Sequence, residues 1–237
     1  MVAKLWSIVW PERLGLGGKL GTWAAVALLG YLSVHASALG LAHLQVLRVE
    51  NQLKYWYKLG KVASPASLES ALAAIERANA LHPDNPYQLT LQARLLEWRA
   101  YNAGQVIVED YREALSLYQH AAKLRPLWPD NWAEMAQVKV RLNEFDADLN
   151  RYLVRADQLG PYTPAVHMAV AQANLPRLSL LVGDQVVLLE THVLRGVQDQ
   201  RSKSQVLDLV RHYGREEWLC GLVSQVEGVK LPGKFCP

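Results

Sequence analysis

The 237-residue sequence is poor in cysteine, phenylalanine and methionine, with two, two and three of each. Two cysteines are too few for a small scaffold held together by disulfides. Only 15 glycines and 11 prolines exclude a collagen-like or low-complexity chain, and an apolar fraction of 51% excludes a disordered one. The 25 Lys and Arg against 22 Asp and Glu give a net charge of +3 without a concentrated basic stripe. We therefore expect no nucleic-acid partner.

Catalytic and cofactor-binding motifs are missing as well. The sequence has no phosphate-binding glycine loop, no HExxH, no GxSxG and no CxxC. Its histidines stand singly, which is typical of structural histidines. We therefore expect no catalytic residues, no cofactor and no metal site. The alternative, an enzyme acting on a glycan, requires two carboxylates about 5 to 10 Å apart in a cleft.

What the sequence does contain is one long uncharged and mostly apolar run, from Gly21 to Leu47. About 20 apolar residues span a bilayer as a helix. Lys19 precedes the run and Arg48 follows it, where long cationic side chains reach lipid headgroups. We predict a single transmembrane helix over residues 21–47, preceded by a short interfacial segment over residues 1–20.

The run ends without a helix-breaking residue, because no Gly or Pro lies between Gly40 and Gly60. We therefore expect the helix to continue unbroken through residues 51–59. A cleaved signal peptide is the alternative, since residues 36–38 read Ala-Ser-Ala, the pattern of a cleavage site. Both alternatives leave the rest of the chain outside the cytoplasm. We expect a single-pass protein of a bacterial inner membrane with a periplasmic soluble domain.

Small residues recur at intervals of four within the run: Ser33 and Ser37, Ala36 and Gly40, Ala38 and Ala42. This spacing lets two membrane helices approach closely. A homo-oligomer through the transmembrane helix is therefore one expectation. The alternative is that a membrane helix simply tolerates small residues.

Beyond the run, the sequence repeats itself. Two segments share an Ala, an apolar residue four further on, a second Ala and a Pro: Ala71, Ile75, Ala78 and Pro83, then Ala114, Tyr118, Ala121 and Pro126. A third, weaker copy runs from Leu149 to Pro161 and lacks the first Ala. Small residues let a neighbouring helix pack closely, and proline ends a helix. The spacing predicts pairs of helices that stack along the chain, and the alternative is a helical bundle with alanine-rich seams.

This pattern resembles the tetratricopeptide repeat, whose period is about 34 residues. Trp132 and Leu89 stand where that family prefers Trp, and Ala136 and Ala93 where it prefers a small residue. The prolines of the three copies are 43 and then 35 residues apart. We therefore expect a longer loop over residues 102–109.

The resemblance implies an all-α fold with a transmembrane helix followed by an α-solenoid. About three divergent repeats would occupy residues 48–176, and capping helices would follow over residues 177–237. Apolar periodicity predicts two of these capping helices, over residues 184–197 and 204–213.

A narrower resemblance rests on three passages. They read ANALHPDNPYQLTLQARLLEWRA, EALSLYQHAAKLRPLWPDNWAEMAQVKVRLNEFDADLNRYLVRADQLGP and, near the C-terminus, VLDLVRHYGREEWLC. In these passages the chain resembles VpsP-type exopolysaccharide biosynthesis proteins, and the resemblance spans most of the chain after Val62. Its more particular parts are the turn formed by Arg125, Pro126, Trp128 and Pro129 and the segment EFDADLNRYLVRADQLGP. It implies a non-catalytic scaffold or adaptor that binds other membrane proteins of a polysaccharide synthesis or export machinery. The alternative is a membrane-anchored repeat protein that assembles a secretion, pilus or cytochrome-maturation complex.

In tetratricopeptide folds the first helix of each pair lines a groove that binds peptides. Carried onto this sequence, the groove-facing residues are Tyr87, Thr90, Arg94, Glu97, Trp98, Asp130, Ala133, Gln137, Arg141, Met168 and Gln172. We expect the two arginines to offer forked donors to an acidic group. The glutamines are expected to pair with an extended backbone, and Tyr87 to make a rigid contact. The alternative is that these residues form solvated faces of a spacer.

The two cysteines, Cys220 and Cys236, lie near the C-terminus. In an oxidising compartment we expect them to form a disulfide, with Cα atoms within about 7 Å. In a reducing compartment they would instead be one buried thiol and one free thiol.

Overall fold

The computed structural model describes residues 15–103, 107–233 and 235–236, and in these residues the chain is helical and contains no strand. This part forms ten α-helices and one 3₁₀ helix, in the order α1 (Leu16–Leu59), α2 (Pro65–Leu81), α3 (Pro86–Asn102), α4 (Val108–Leu124), α5 (Pro129–Arg141), α6 (Ala147–Leu159), α7 (Pro164–Asn174), the 3₁₀ helix (Leu175–Leu180), α8 (Asp184–Gln198), α9 (Lys203–His212) and α10 (Glu216–Ser224). The prediction of an all-α protein is confirmed. Most of the expected interfacial segment, residues 1–14, lies outside the described residues.

α1 is a single helix of 44 residues. It continues through residues 51–59 without a break, as predicted from its lack of Gly and Pro after Gly40. It ends at Gly60, whose φ of 68° is a left-handed conformation that glycine adopts without steric cost. Its most apolar window has a mean hydropathy of 1.6, so α1 is long and apolar enough to cross a membrane.

α1 has an exposed half and a packed half. Nearly every side chain from Leu16 to Leu41 is exposed. The buried residues of the packed half recur at alternating intervals of four and three: Ala42, Val46, Val49, Leu53 and Trp56. Such intervals keep side chains on one helix face, and this face packs against α2. The freely exposed apolar segment therefore ends near Leu41 and not at Leu47, because a neighbouring helix covers residues that hydropathy alone assigns to the membrane.

The helix ends follow from local chemistry. α2, α3, α5 and α7 each begin with proline, whose fixed φ suits the first helical position. Ser64 caps α2 and forms a reciprocal pair of hydrogen bonds with Ser67, and Asn85 caps α3. At the other ends, α2, α4 and α6 each stop two residues before the proline that was predicted to end them: Pro83, Pro126 and Pro161.

α1, α3 and α5 lie side by side and run in the same direction. At the start of α3 the Tyr87 hydroxyl donates to Glu50 Oε1 of α1 at 2.7 Å. Near the end of α3 the Trp98 ring packs edge-on against Tyr57, with ring centroids 5.3 Å apart. The same order holds between α3 and α5, whose polar contacts are Thr90–Asn131, Arg94–Glu134 and Glu97–Arg141. α2 and α4 run the opposite way between these helices.

The alanines that define the sequence repeat lie in the helix contacts. Ala78, Ala114 and Ala121 are fully buried, as are Ala93 and Ala136 on the facing helices. One apolar cluster joins α1, α2 and α3, and a larger one extends from α3 to the C-terminal helices. Because α3 contributes to both clusters, the packed half of α1 belongs to a continuous apolar core.

Two C-terminal helices were predicted, over residues 184–197 and 204–213. The corresponding helices α8 (Asp184–Gln198) and α9 (Lys203–His212) agree with these limits to within one residue at each end. Cys220 of α10 and Cys236, beyond that helix, form a disulfide with Cα atoms 5.8 Å apart. Phe235, next to the second cysteine, is buried, and the Arg211 guanidinium lies 4.8 Å from its ring centroid. The disulfide thus attaches the last described residues to the helical core.

Candidate functional site

A cavity of about 370 Å³ opens between the C-terminal ends of α1, α3 and α5. We call it the α1–α3–α5 cavity. Its lining consists of Tyr57, Gly60, Arg94, Glu97, Trp98, Tyr101, Glu134, Gln137 and Arg141. The three helices are parallel, so their last turns meet at one end of the array and bring these side chains together.

Aromatic rings form one wall of the cavity. Trp98 packs edge-on against Tyr57 on one side and against Tyr101 on the other, with centroid separations of 5.3 and 5.6 Å. Trp56, which is fully buried, packs edge-on against Trp98, with ring centroids 6.1 Å apart. Edge-to-face pairs of this kind are favourable. The wall therefore presents a largely apolar aromatic surface.

Arg94 and Glu134 form an ion pair across the cavity floor. Nη2 and Nε of Arg94 donate to the same Glu134 oxygen, at 2.7 and 3.2 Å. Burial by itself would lower the pKa of Arg94, but the Glu134 carboxylate, together with Tyr118 and Tyr57, outweighs this effect and the net shift is upward. The guanidinium therefore stays charged and bound to its carboxylate.

A second ion pair, Arg141 with Glu97, lies beside the first. The Glu97 carboxylate also accepts a hydrogen bond of 2.6 Å from the hydroxyl of Tyr118, which is completely buried. Burial raises the pKa of Tyr118 well above its usual value, so that hydroxyl keeps its proton and remains a donor. Burial lowers the pKa of Arg141.

These two ion pairs change the role expected for the arginines. We expected Arg94 and Arg141 to be forked donors free to bind an acidic group. Each instead has a glutamate from the facing helix as its partner, and the two positive charges are balanced by two negative ones. A neutral floor of this kind gives an incoming carboxylate no net attraction. It suits an uncharged ligand, for which the Gln137 amide remains as donor and acceptor.

Five of the predicted groove residues line the cavity: Arg94, Glu97, Trp98, Gln137 and Arg141. The other predicted residues lie elsewhere. Thr90 and Ala133 are buried in the helix contacts. Tyr87 lies at the opposite end of α3, where it bonds Glu50. Gln172 is on α7 and, like Met168 and Asp130, is not among the residues that line this cavity.

Four lining residues were not predicted. Glu134 could have been found, because it lies three residues before Gln137 and seven before Arg141, on the same face of α5. Tyr101 likewise follows Glu97 and Trp98 on one face of α3. Tyr57 and Gly60 belong to the end of α1, and no local pattern relates that helix to the groove.

Among the described residues, no group of three or more His, Cys, Asp or Glu side chains is arranged to hold a metal ion. The chemistry of the cavity is therefore that of aromatic rings, paired charges and one amide. No protein-family model and no curated protein matches this chain.

Proposed function

We propose that this protein is a non-catalytic, membrane-anchored adaptor whose helical array binds a segment of a partner protein in the α1–α3–α5 cavity. The observation that carries the proposal is the cavity itself, with its aromatic wall and its neutral floor of paired charges. An enzyme would need reactive groups held free for substrate. Here both carboxylates of the floor are already bound to arginines.

We propose further that the array is a divergent tetratricopeptide-like solenoid of about three repeats with a C-terminal helical cap. Parallel first helices, antiparallel second helices and buried alanines at the predicted contacts support this assignment. In such an array the first helices line the inner surface. The cavity lies between α1, α3 and α5, as a ligand groove of that kind would.

The lining chemistry favours an uncharged side chain presented on an extended segment. An apolar or aromatic group would pack against Trp98 and Tyr101, and the Gln137 amide would pair with the backbone beside it. Recognition in this way orients the ligand by a few polar contacts and gains affinity from apolar burial.

The exposed half of α1 supports attachment to a bilayer, since residues 16–41 make roughly 39 Å of helix at about 1.5 Å per residue and a hydrocarbon core is about 30 Å thick. The Cys220–Cys236 bond supports an oxidising compartment. We therefore propose a bacterial inner-membrane protein with its array in the periplasm. Its assignment to a polysaccharide synthesis or export machinery rests on the sequence resemblance to VpsP-type proteins.

The proposal is tested by co-purification from native membranes. Tyr101 is 64% exposed at the cavity, so Tyr101→Glu adds a charge beside the neutral floor without removing a buried side chain. We expect recovery of the partner protein to fall about tenfold, which corresponds to about 1.4 kcal/mol. A benzophenone amino acid in place of Gln137 should form a crosslink to the same partner.

Tyr55→Glu is the matched control. Like Tyr101, Tyr55 is an exposed tyrosine, but it lies on α1 and lines a different cavity. It should leave partner recovery unchanged. Equal recovery with both variants would refute the cavity as the binding site. The polysaccharide assignment is tested separately: deletion of the gene should lower secreted polysaccharide, and the wild-type gene should restore it where the Tyr101→Glu gene does not.

A further inference from the structure

Three turns of the array lie side by side along one edge. They comprise residues 82–85, 125–128 and 160–163, and together we call them the proline-turn edge. The Tyr87 ring, just after the first turn, packs against Trp128 of the second with centroids 6.2 Å apart. The third turn begins at Gly160, whose backbone lies against Pro129, so that an added Cβ would meet the Pro129 ring at 2.7 Å.

This edge faces the exposed half of α1. Because only residues 60–64 join α1 to α2, the two helices are antiparallel, and the end of α2 lies beside the region of Ala42. Ala42 is the first fully buried residue of α1, next to the point at which the exposed apolar segment ends. The first of the three turns follows α2 directly. The proline-turn edge is therefore the side of the array nearest to the level at which α1 would leave a bilayer.

Large apolar and amphipathic side chains project from the edge. Leu127 and Tyr162 are each 70% exposed, and Leu124 and Leu81 are also exposed. The Arg125 guanidinium lies 4.8 Å from the Trp128 ring centroid, and that of Arg195 lies 4.7 Å from the ring of Tyr162. Aromatic rings beside cations, together with leucine, are the side chains that favour the headgroup region of a membrane.

Two exposed cations on the edge, Lys123 and Arg125, lie beside Leu127. Two carboxylates lie nearby: Asp84 Oδ1 is 3.4 Å from His120 Nε2, and Asp130 accepts a hydrogen bond of 3.1 Å from Trp128 Nε1. These contacts leave the carboxylates charged, so the edge has no net positive charge and the two cations would act as individual contacts for lipid phosphates. Cations close to a membrane surface are attracted by acidic lipids.

We propose that the proline-turn edge docks on the surface of the same bilayer that α1 crosses, with Leu127 and Tyr162 among the headgroups and with Lys123 and Arg125 on anionic lipid phosphates. Docking would hold the array against the membrane instead of leaving it tethered by α1 alone. This inference rests on the membrane anchor of the proposed function.

The test uses the full chain in nanodiscs of phosphatidylcholine and phosphatidylglycerol in equal parts. Leu127→Cys adds one free thiol, which is labelled with an environment-sensitive fluorophore after the native disulfide has formed; Val182→Cys and Leu29→Cys are labelled in the same way. We expect quenching by aqueous iodide to be about fivefold weaker than for the same label in a water-exposed position, because interfacial side chains lie some 5–10 Å into the headgroup boundary. The label should also be quenched by lipids that carry bromine on their acyl chains.

Two further positions make the result interpretable. Val182, 74% exposed between the 3₁₀ helix and α8 at the opposite edge, is the matched control and should stay accessible to iodide. Leu29, exposed in the middle of the apolar half of α1, reports on the anchor and should be protected in every disc.

If the Leu29 label is protected while the Leu127 label is as accessible as the Val182 label, docking is refuted and the anchor stands. If the Leu29 label is accessible, the anchor and the docking both fail. Lys123→Glu with Arg125→Glu, or discs of phosphatidylcholine alone, should weaken protection at Leu127. Unchanged protection in both cases would overturn the assignment of these cations to lipid phosphates.

Discussion

The Nδ1 atoms of His167 and His192 lie 2.9 Å apart in the interior between α7 and α8. His192 Nε2 lies 3.0 Å from Asp157 Oδ1, a carboxylate, so this nitrogen carries the proton and donates it to the hydrogen bond. With its Nε2 protonated, neutral His192 accepts at Nδ1 from His167. Both imidazoles are then neutral, and a second proton on His192 would occupy Nδ1 and break the bond between them.

Stability should fall on mild acidification because of this pair. Burial, followed by the neighbouring His192, lowers the pKa of His167 from 6.5 to about 4. A histidine with a depressed pKa stabilises the fold fully above pH 6.5, and this contribution is lost as the pH falls toward 4. We expect the free energy of unfolding to drop by roughly 2 kcal/mol between pH 7 and pH 5, measured by urea denaturation of the full chain in detergent.

His167→Asn keeps a donor near the Nδ1 position but cannot be protonated in this range, so it should flatten the pH dependence. His212→Asn removes an exposed histidine and should leave the slope as it is. A slope that survives His167→Asn would show that another group is responsible.

The ion pair on the cavity floor should contribute to stability. Glu134→Gln removes the partner of Arg94, whose side chain is largely buried, and we expect a loss of about 2 kcal/mol. Asp208→Asn is the control, since its i,i+3 pair with Arg211 is solvent-exposed and should contribute less than about 0.5 kcal/mol. Equal midpoints of denaturant unfolding for the two variants would contradict this prediction.

The packing around Gly196 leaves no room for a methyl group on its Cα. An added Cβ would lie 2.8 Å from Val206 Cγ2 and 3.2 Å from His167 Cβ, both on packed neighbouring helices. We expect Gly196→Ala to destabilise the fold by about 1–3 kcal/mol. Gly221→Ala, at a helical position with open space around its Cβ, should be neutral or stabilising by up to about 1 kcal/mol. The melting temperatures of the two variants, measured by thermal unfolding in one buffer, test this prediction.

The Cys220–Cys236 bond should be present in cells if the array is periplasmic. Non-reducing mass spectrometry of protein alkylated in intact cells should find no free thiol. Replacing both cysteines by serine should lower stability by about 3 kcal/mol, because the open chain gains conformational freedom when unfolded. Two alkylated thiols would count against both the bond and the compartment.

Sequence alone predicted the elements of the fold more fully than their mutual contacts. Proline after the last helical turn, together with alanine spacing, is local information, so the C-terminal ends of α2, α4 and α6 follow from it. The packing of α2 over Ala42 and Val46 is a long-range contact. Hydropathy alone therefore placed both residues in the transmembrane segment. The site shows the same division. The helix face that holds Arg94 and Trp98 is readable from periodicity, whereas the pairing of Arg94 with Glu134 depends on how two distant helices are aligned.

Because α1 is unbroken, the proposed membrane anchor also fixes the distance and the rotation of the cavity relative to the exposed half of the helix. Tyr57, at the cavity, stands 16 residues beyond Leu41, which sets the cavity roughly 24 Å above the level at which the exposed half ends. A rigid helix fixes rotation together with height: one residue inserted after Leu41 would raise the array by about 1.5 Å and turn the cavity through about 100°. The direction in which this protein presents its cavity is therefore set by the number of residues in one helix.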